Sequence, residues 1–437
     1  MDILKFDLSK KLGKFKILNA VNGGPLHKRH NASTQRSNMV AYKAARIPYS
    51  RNHDSGESDI HGGPYSHDIS KIFRNFDADV NDPESYDFVN TDEDIQICLE
   101  AGTKTFYRLG ETIELQLKKH ATLPPKDFQK WAEICEHIIR HYNEGWANGY
   151  YFNIQYWEIW NEPDLSPSDD WHDKKTWGGT KAQFFDFYEV VAKHLKSKFP
   201  HLKIGGPALS GWVTYAEEFL PEMKKRNVPI DFFSWHWYGT EPAGMIERSV
   251  GMKNALVQNG YEHAESILNE WNYVRGWLDD YVYSLQAIHG IKGASFTMAC
   301  ISEAQKSTID MLMYYDTRPC EFNGAFDFYS WYPLKGYYPL KWYGMFYDME
   351  AEVRCSKQPE NIYTLCGVDK NGKALCVITH YSENDDAEAK EVKIDFGIKG
   401  EYEVYLLDAE HDAELIKTTD DLTFTMKVHS CIMIRQI

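Results

Sequence analysis

The stretch Trp157-Glu158-Ile159-Trp160-Asn161-Glu162-Pro163 is a run of bulky apolar residues that ends in Asn-Glu-Pro. Such a run predicts a buried strand. Proline cannot continue the ladder of a sheet, so the strand should end just before it and leave Glu162 at the carboxyl end. A second run, Ile267-Leu268-Asn269-Glu270-Trp271-Asn272, has the same form and leaves Glu270 in the same position on its own strand.

Short β-rich runs of this kind alternate with longer helical patterns along most of the chain, which is typical of βα units and a parallel sheet. The predicted strands are Ile17–Val21, Arg46–Ser50, Lys104–Gly110, Gln155–Trp160, Leu202–Gly206, Asp231–Trp237, Ile267–Trp271 and Ile309–Tyr315. Eight such units in about 330 residues predict an α/β fold, a (β/α)8 TIM barrel with some long loops.

The segments between these strands carry helical periodicity. Apolar residues recur at spacings of three and four from Phe128 to Tyr142, after the start signal Pro124-Pro125, and again from Phe184 to Leu195. Thr91-Asp92-Glu93-Asp94 predicts a capping box that opens a further helix.

After about residue 350 the helical periodicity ends. Asn361–Gly367, Ala374–His380, Glu391–Phe396, Glu401–Leu407 and Leu422–Lys427 are predicted short strands between turns rich in Asp, Asn and Gly. We therefore predict a catalytic barrel over residues 13–350 and an accessory all-β module of sandwich type over residues 351–437, to which residues 1–12 add a strand.

Composition restricts the class of protein. The net charge is −16, from 48 basic and 64 acidic residues, and this balance disfavours nucleic-acid binding. No run approaches the roughly 20 apolar residues that a membrane span needs, and the first residues are too charged for a signal peptide, so we expect a cytoplasmic protein without a membrane partner. The eight scattered cysteines suit reduced thiols.

The chemistry is expected where strands four and seven end, because these ends face one another across the mouth of a barrel. Glu162 and Glu270 would stand there as a pair of carboxylates, the arrangement that glycoside hydrolysis uses. A gap of about 5–5.5 Å would mean a retaining mechanism, and one of about 6.5–9.5 Å an inverting one. Glu158 lies four residues before Glu162, deeper in the strand, and is predicted to be a buried structural carboxylate.

Four further residues are candidates for substrate binding. Asn161 can donate a hydrogen bond to a sugar hydroxyl, and His236 and Tyr238 end the sixth strand, where Tyr238 could bond Glu270 and His236 could contact Glu162 or a substrate hydroxyl. His53, after the second strand, is a weaker candidate of the same kind. Because the sequence has no zinc-protease, phosphate-loop or dinucleotide motif, we predict no metal site and no cofactor.

The sequence is similar to glycoside hydrolase family 39, the family of β-xylosidases and α-L-iduronidases. Trp157–Pro163 and Gly205-Gly206-Pro207-Ala208 carry the resemblance, and Asp231–Tyr238, Leu268–Asn272, Pro124–Trp131 and Phe322–Phe326 add to it in the expected order. The resemblance implies that Glu162 is the acid/base and Glu270 the nucleophile of a retaining mechanism. Residues after His53, up to about Thr103, depart from the family pattern.

The expected function is therefore the release of a terminal sugar from an oligosaccharide or glycoside, with β-xylosides as the default substrate. Other sugars, endo action within a polysaccharide, and a non-catalytic carbohydrate-binding barrel are the alternatives. The last of these predicts that one carboxylate is absent or displaced. The sequence does not decide the oligomeric state, although a homo-oligomer is compatible with it.

Overall fold

Eight parallel strands close into a barrel, which confirms the predicted fold class. The computed structural model describes residues 1–27, 36–52, 67–115, 117–166, 174–211, 213–318 and 320–437. The barrel strands, numbered one to eight in chain order, are Ile17–Asn22, Tyr49–Arg51, Lys104–Leu109, Tyr156–Ile159, Lys203–Leu209, Phe232–Gly239, Glu265–Tyr273 and Met311–Tyr314.

Each predicted strand overlaps an observed one, and only the second is clearly shifted. It begins at Tyr49 rather than Arg46, because Arg46 ends the helix Met39–Ala45 in a left-handed conformation with φ of 52°. The described α-helices are Met39–Ala45, Ile69–Ile72, Val89–Glu100, Phe128–Glu144, Lys181–Lys198, Val213–Lys225, Pro242–Gln258, Tyr281–His289, Ile291–Gln305 and Tyr337–Met345. Short 3-10 helices span Pro83–Ser85, Trp146–Asn148 and Phe346–Asp348.

The predicted capping box at Thr91 is wrong. The helix begins at Val89, so Thr91 is inside its first turn and buried, and no side chain caps the helix at Phe88. A capping box occurs instead at Thr180, whose hydroxyl accepts from the backbone of Gln183 while the Gln183 side chain accepts from the backbone of Thr180.

Aromatic rings fill the lower part of the barrel interior. The ring of Phe106 lies 5.1 Å from that of Tyr156 and 5.2 Å from that of Phe232, centroid to centroid. Since side chains alternate along a strand, the next inward positions above Tyr156 and Phe232 are Glu158 and Ser234. A polar layer therefore stands on the aromatic one, directly below the carboxyl ends of the strands.

The C-terminal region forms two further sheets. One has six strands in the antiparallel order Ala351–Glu352, Ile362–Val368, Ala374–His380, Ser430–Gln436, Tyr402–Leu407 and Asp412–Thr419. The other has three strands, Asp2–Lys5, Lys390–Asp395 and Thr423–Met426, so the first residues of the chain do add a strand. Leu4 and Val392 of the small sheet share one apolar core with Cys376 and Ile434 of the large sheet, as in a sandwich.

Three of these strands were not predicted: Ala351–Glu352, Asp412–Thr419 and Ser430–Gln436. Asp412–Thr419 is an edge strand whose residues are almost all exposed, so it lacks the alternation of buried and exposed positions that marks a strand in a sequence. The domain boundaries at residues 13 and 351 stay a prediction, supported by these pairings. Among the described helices, none has the length and apolar character that a membrane span requires.

Candidate active site

Glu162 leaves the end of barrel strand four in an unusual backbone conformation. Its φ is 44°, in the left-handed region that disfavours residues with a Cβ. Two hydrogen bonds hold it there: its N–H donates to the carbonyl of Ala208 at 2.8 Å, and its carbonyl accepts from the hydroxyl of Thr176. The backbone is thus fixed by barrel strand five and by the loop that contains Thr176, and Glu162 is 9% exposed at the barrel mouth.

Glu270 reaches the barrel interior because strand seven contains a β-bulge. The pairing of strands six and seven runs from Trp235 opposite Leu268 to His236 opposite Glu270, so Asn269 is one residue too many. A bulge redirects the side chains that follow it. Asn269 and Glu270 consequently both contact groups inside the barrel, although strict alternation would send neighbours to opposite faces.

A fully buried arginine at the end of strand two connects the carboxylates. Arg51 donates to Glu158 Oε2 at 2.6 Å, to Glu270 Oε1 at 2.7 Å and to Asn161 Oδ1 at 2.7 Å. Burial opposes its charge, but the charges of Glu158 and Glu270 more than offset this and raise the pKa of Arg51. The cation therefore lies against both carboxylates and holds Glu270 in one orientation.

Arg51 is a site residue that was not predicted from the sequence. A usable signal was present, since three glutamates predicted near the ends of strands need a cation among them, and Arg51 ends a strand of the same barrel. Glu158, predicted to be structural, is buried and also accepts from Ser234 Oγ and Asn269 Nδ2, both at 2.5 Å.

His236 and Tyr238 project from strand six between the two carboxylates. His236 Nδ1 lies 2.7 Å from Glu162 Oε1 and 3.4 Å from Glu270 Oε2. Tyr238 donates its hydroxyl to Glu270 Oε2 at 3.1 Å. Burial raises the pKa of Tyr238 well above its usual value and the charge of Glu270 adds to this, so the phenol stays protonated as a donor.

The two carboxylates converge. One oxygen of Glu162, one oxygen of Glu270 and a ring nitrogen of His236 all lie within 4.8 Å of one another. This spacing matches the roughly 5 Å of retaining glycosidases and is shorter than the roughly 6.5–9.5 Å that leaves room for water in inverting ones. The same three groups could in principle hold a metal ion, but the Arg51 guanidinium already supplies the positive charge beside Glu270.

The pair opens into a cavity of about 720 Å³, within the usual size range of small-molecule sites. One wall is aromatic: the ring of Tyr238 lies 5.3 Å from that of Trp277 and 5.9 Å from that of Phe322, and Tyr315 packs against Phe322 at 5.7 Å. Such rings stack on the C–H faces of sugars. The aromatic wall is on the side of Glu270, which Tyr238 contacts.

Of the predicted site residues, the structure brings together Glu162, Glu270, Asn161, His236 and Tyr238. Asn161 is buried and accepts a hydrogen bond from Arg51. His53 lies outside the described residues. The roles assigned to all six from the sequence stay predictions.

The model of the family described as "Glycosyl hydrolases family 39" matches residues 12–311. The chain belongs to this family. Residues 12–311 contain the whole carboxylate pair and seven of the eight barrel strands, with the eighth beginning at Met311.

Two curated relatives are named beta-xylosidase. The one from Caldicellulosiruptor saccharolyticus is 32% identical over 208 residues, which are 44% of this chain and 38% of the relative. The one from Geobacillus stearothermophilus is 27% identical over 242 residues, 48% of this chain and 45% of the relative. The matched parts thus span less than half the length of these relatives.

Among solved structures, a glucosidase from Croceicoccus marinus is similar to this chain over 100% of its length and 99% of the other chain. The TM-score is 0.78 and the identity 20%. At this identity the likeness establishes a shared fold alone.

Proposed function

We propose that the protein is a retaining glycosidase that removes a terminal sugar from an oligosaccharide or glycoside, with β-xylosides as the first substrate class. The observation that carries the proposal is that an oxygen of Glu162 and an oxygen of Glu270 lie within 4.8 Å of each other at the mouth of the barrel, and a ring nitrogen of His236 lies within 4.8 Å of both. A non-catalytic barrel has no need to bring two carboxylates together at such a distance.

In the first step, Glu270 attacks the anomeric carbon as an ionised nucleophile. The bond from that carbon to the leaving oxygen breaks, and Glu162 donates its proton to this oxygen. Arg51 and Tyr238 orient the Glu270 carboxylate through their hydrogen bonds to its two oxygens. The products are a free leaving group and a glycosyl ester of Glu270.

In the second step, Glu162 is ionised and removes a proton from water. The water oxygen bonds to the anomeric carbon as the ester bond to Glu270 breaks, which restores both carboxyl groups and the original configuration. His236 is hydrogen-bonded to Glu162 and lies near Glu270. It holds the Glu162 side chain in one orientation through both steps.

Two observations support the substrate class. Two of the curated relatives that match the chain are named beta-xylosidase, and the aromatic wall beside Glu270 offers rings to the face of a sugar. A cavity of about 720 Å³ has the size of a site for a small ligand, which supports removal of a terminal residue. We assign His236, which lines the cavity, and Asn161, which is buried beside Arg51, to the sugar hydroxyls.

The test begins with Glu270→Ala. This variant should lose at least about 10³-fold in kcat on nitrophenyl xyloside, and added azide should restore turnover with a glycosyl azide of inverted configuration. Azide would occupy the space left by the carboxylate and attack the same carbon. A retained product, or no loss of activity, would contradict the role of Glu270.

Glu162→Ala should slow the cleavage of xylobiose far more than that of dinitrophenyl xyloside, because a good leaving group departs without a proton. Equal losses on the two substrates would remove Glu162 from the acid role. Glu217→Ala, at an exposed position of the helix Val213–Lys225, is the matched control and should behave as wild type.

A further inference from the structure

Two basic side chains that line the active-site cavity, Lys175 and Arg248, have no partner among the described residues. Lys175 Nζ and the Arg248 guanidinium make no hydrogen bond or ion pair with any part of the chain that the structure describes. Among the described residues that line the cavity, the carboxylates are Glu162 and Glu270, and Glu270 is already paired with Arg51. Two uncompensated cations in one cavity stand out in a chain whose net charge is −16.

Comparison with another arginine shows what is missing at Arg248. Arg275 lies 2.6 Å from a Glu383 oxygen; burial opposes its charge, but the hydrogen bond to Glu383 raises its pKa. For Arg248, burial lowers the pKa and the charge of Glu247 opposes the shift only in part. A half-buried guanidinium without a counter-ion is costly for the free protein, which is why such groups are normally paired.

Both cations stand on the side of the cavity that belongs to Glu162. Lys175 precedes Thr176, whose hydroxyl donates to the Glu162 carbonyl. Arg248 lies against Gly211, where a Cβ would be 3.0 Å from Arg248 Nη1 and 2.7 Å from the His236 carbonyl oxygen. Gly211 has φ of 107°, a conformation that favours glycine. Because glycine has no Cβ, the Arg248 guanidinium can lie close to this loop.

The cavity is therefore divided. Its aromatic side, with Trp277 and Phe322, adjoins Tyr238 and Glu270, where the sugar that forms the glycosyl ester must lie. Its basic side adjoins Glu162, which donates its proton to the leaving oxygen. Groups on that side face the leaving group.

We infer that the natural leaving group carries an acidic substituent, a carboxylate or a sulfate ester, which Arg248 and Lys175 bind. This inference rests on the proposed function, because the roles of the two glutamates define which side the leaving group occupies. Arg248 would form the more directional contact, since a guanidinium can bond a carboxylate or sulfate through two N–H groups. Lys175, which is exposed, would add charge at the entrance.

The experiment compares three aryl β-xylosides whose leaving phenols carry a carboxylate, a sulfonate or an uncharged carboxamide at the same ring position. The wild-type kcat/KM should be about tenfold higher for the preferred acidic xyloside than for the carboxamide. The ratio of these two kcat/KM values should fall as salt is added, because salt screens the attraction between the charges. The kcat/KM values of the carboxylate and sulfonate xylosides show which of the two acidic groups, a carboxylate or a sulfate-like group, the site prefers.

Variants locate the effect. Arg248→Gln should lower the ratio of kcat/KM for the acidic and neutral xylosides by roughly fivefold or more, and Arg248→Lys should restore part of it. Lys175→Gln should lower the ratio less, and it keeps the test valid if Arg248→Gln does not fold. Lys399→Gln, at an exposed position of the C-terminal module, should leave the ratio as in wild type.

Each outcome bears on one proposal or the other. Equal kcat/KM for acidic and neutral xylosides, or an unchanged ratio in both Arg248→Gln and Lys175→Gln, would overturn the inference and leave the proposed function intact. If none of the three xylosides is hydrolysed, the proposed xylosidase function fails and takes the inference with it.

Discussion

Asp164 follows Glu162 by two residues and is almost entirely buried, with 6% of its surface exposed. Burial raises its pKa from 3.8 to about 6, and the charge of Glu162 adds to the shift, against the hydrogen bond that the Ser210 N–H donates to Asp164 Oδ1 at 2.8 Å. We predict that the Asp164→Asn variant becomes more stable relative to wild type as the pH rises.

The folded protein favours the protonated form of this carboxyl. The stability that it contributes is therefore fully present below the ordinary pKa of 3.8 and is lost as the pH rises through about 6. A shift of about two pKa units corresponds to about 3 kcal/mol at about 1.36 kcal/mol per unit. Asparagine has the same shape and does not ionise, so the variant should gain about 3 kcal/mol on wild type between pH ~4 and ~7.

The assay is thermal unfolding of both proteins at a series of pH values. Unfolding entropy is about 2.1 cal/mol/K per residue, so for a chain of 437 residues the gain amounts to about 3 °C in Tm. Replacing aspartate by asparagine also changes Tm by an amount that does not depend on pH. The prediction therefore concerns how the Tm difference between variant and wild type changes with pH, not its absolute value. A difference that stays flat from pH ~4 to ~7 would refute the reasoning.

Asp327→Asn is a control of opposite sign. Hydrogen bonds from the side chain and backbone of Ser330 lower the pKa of Asp327. Its contribution is therefore present above its ordinary pKa and lost as the pH falls through the lowered one. The Tm difference between this variant and wild type should be constant above pH ~5.

Three further substitutions test the polar layer of the barrel. Arg51→Met should lower the free energy of unfolding by about 3–5 kcal/mol in urea, because Glu158 and Glu270 would stay buried without their cation; an unchanged midpoint would contradict this. Tyr238→Phe should reduce kcat/KM by roughly tenfold or more with little change in Tm, since it removes one hydrogen bond to the Glu270 carboxylate. Ser234→Ala, which removes a donor to Glu158, should cost about 1–3 kcal/mol of stability, and a loss confined to kcat would argue against it.

Local pattern was sufficient to predict the strands of the barrel. Apolar runs such as Gln155–Trp160 are bounded by turn residues, and both signals lie within a few positions of each other. The boundaries were less secure where tertiary contacts decide the conformation, as at Arg46, where a helix ends in the left-handed region. The edge strand Asp412–Thr419 was missed because its exposed residues carry no alternation.

By itself, the sequence determined that Glu162 follows one buried strand of the barrel and that Glu270 lies in the carboxyl-terminal half of another, because proline, apolar runs and alternation act over short distances. Only the tertiary structure decided how these carboxylates meet. The bulge at Asn269 depends on the register between strands six and seven, and the bonds of Arg51 join residues 107 and 219 positions away in the chain. Such contacts leave no local pattern, since they arise when the barrel closes and its buried charges must be paired.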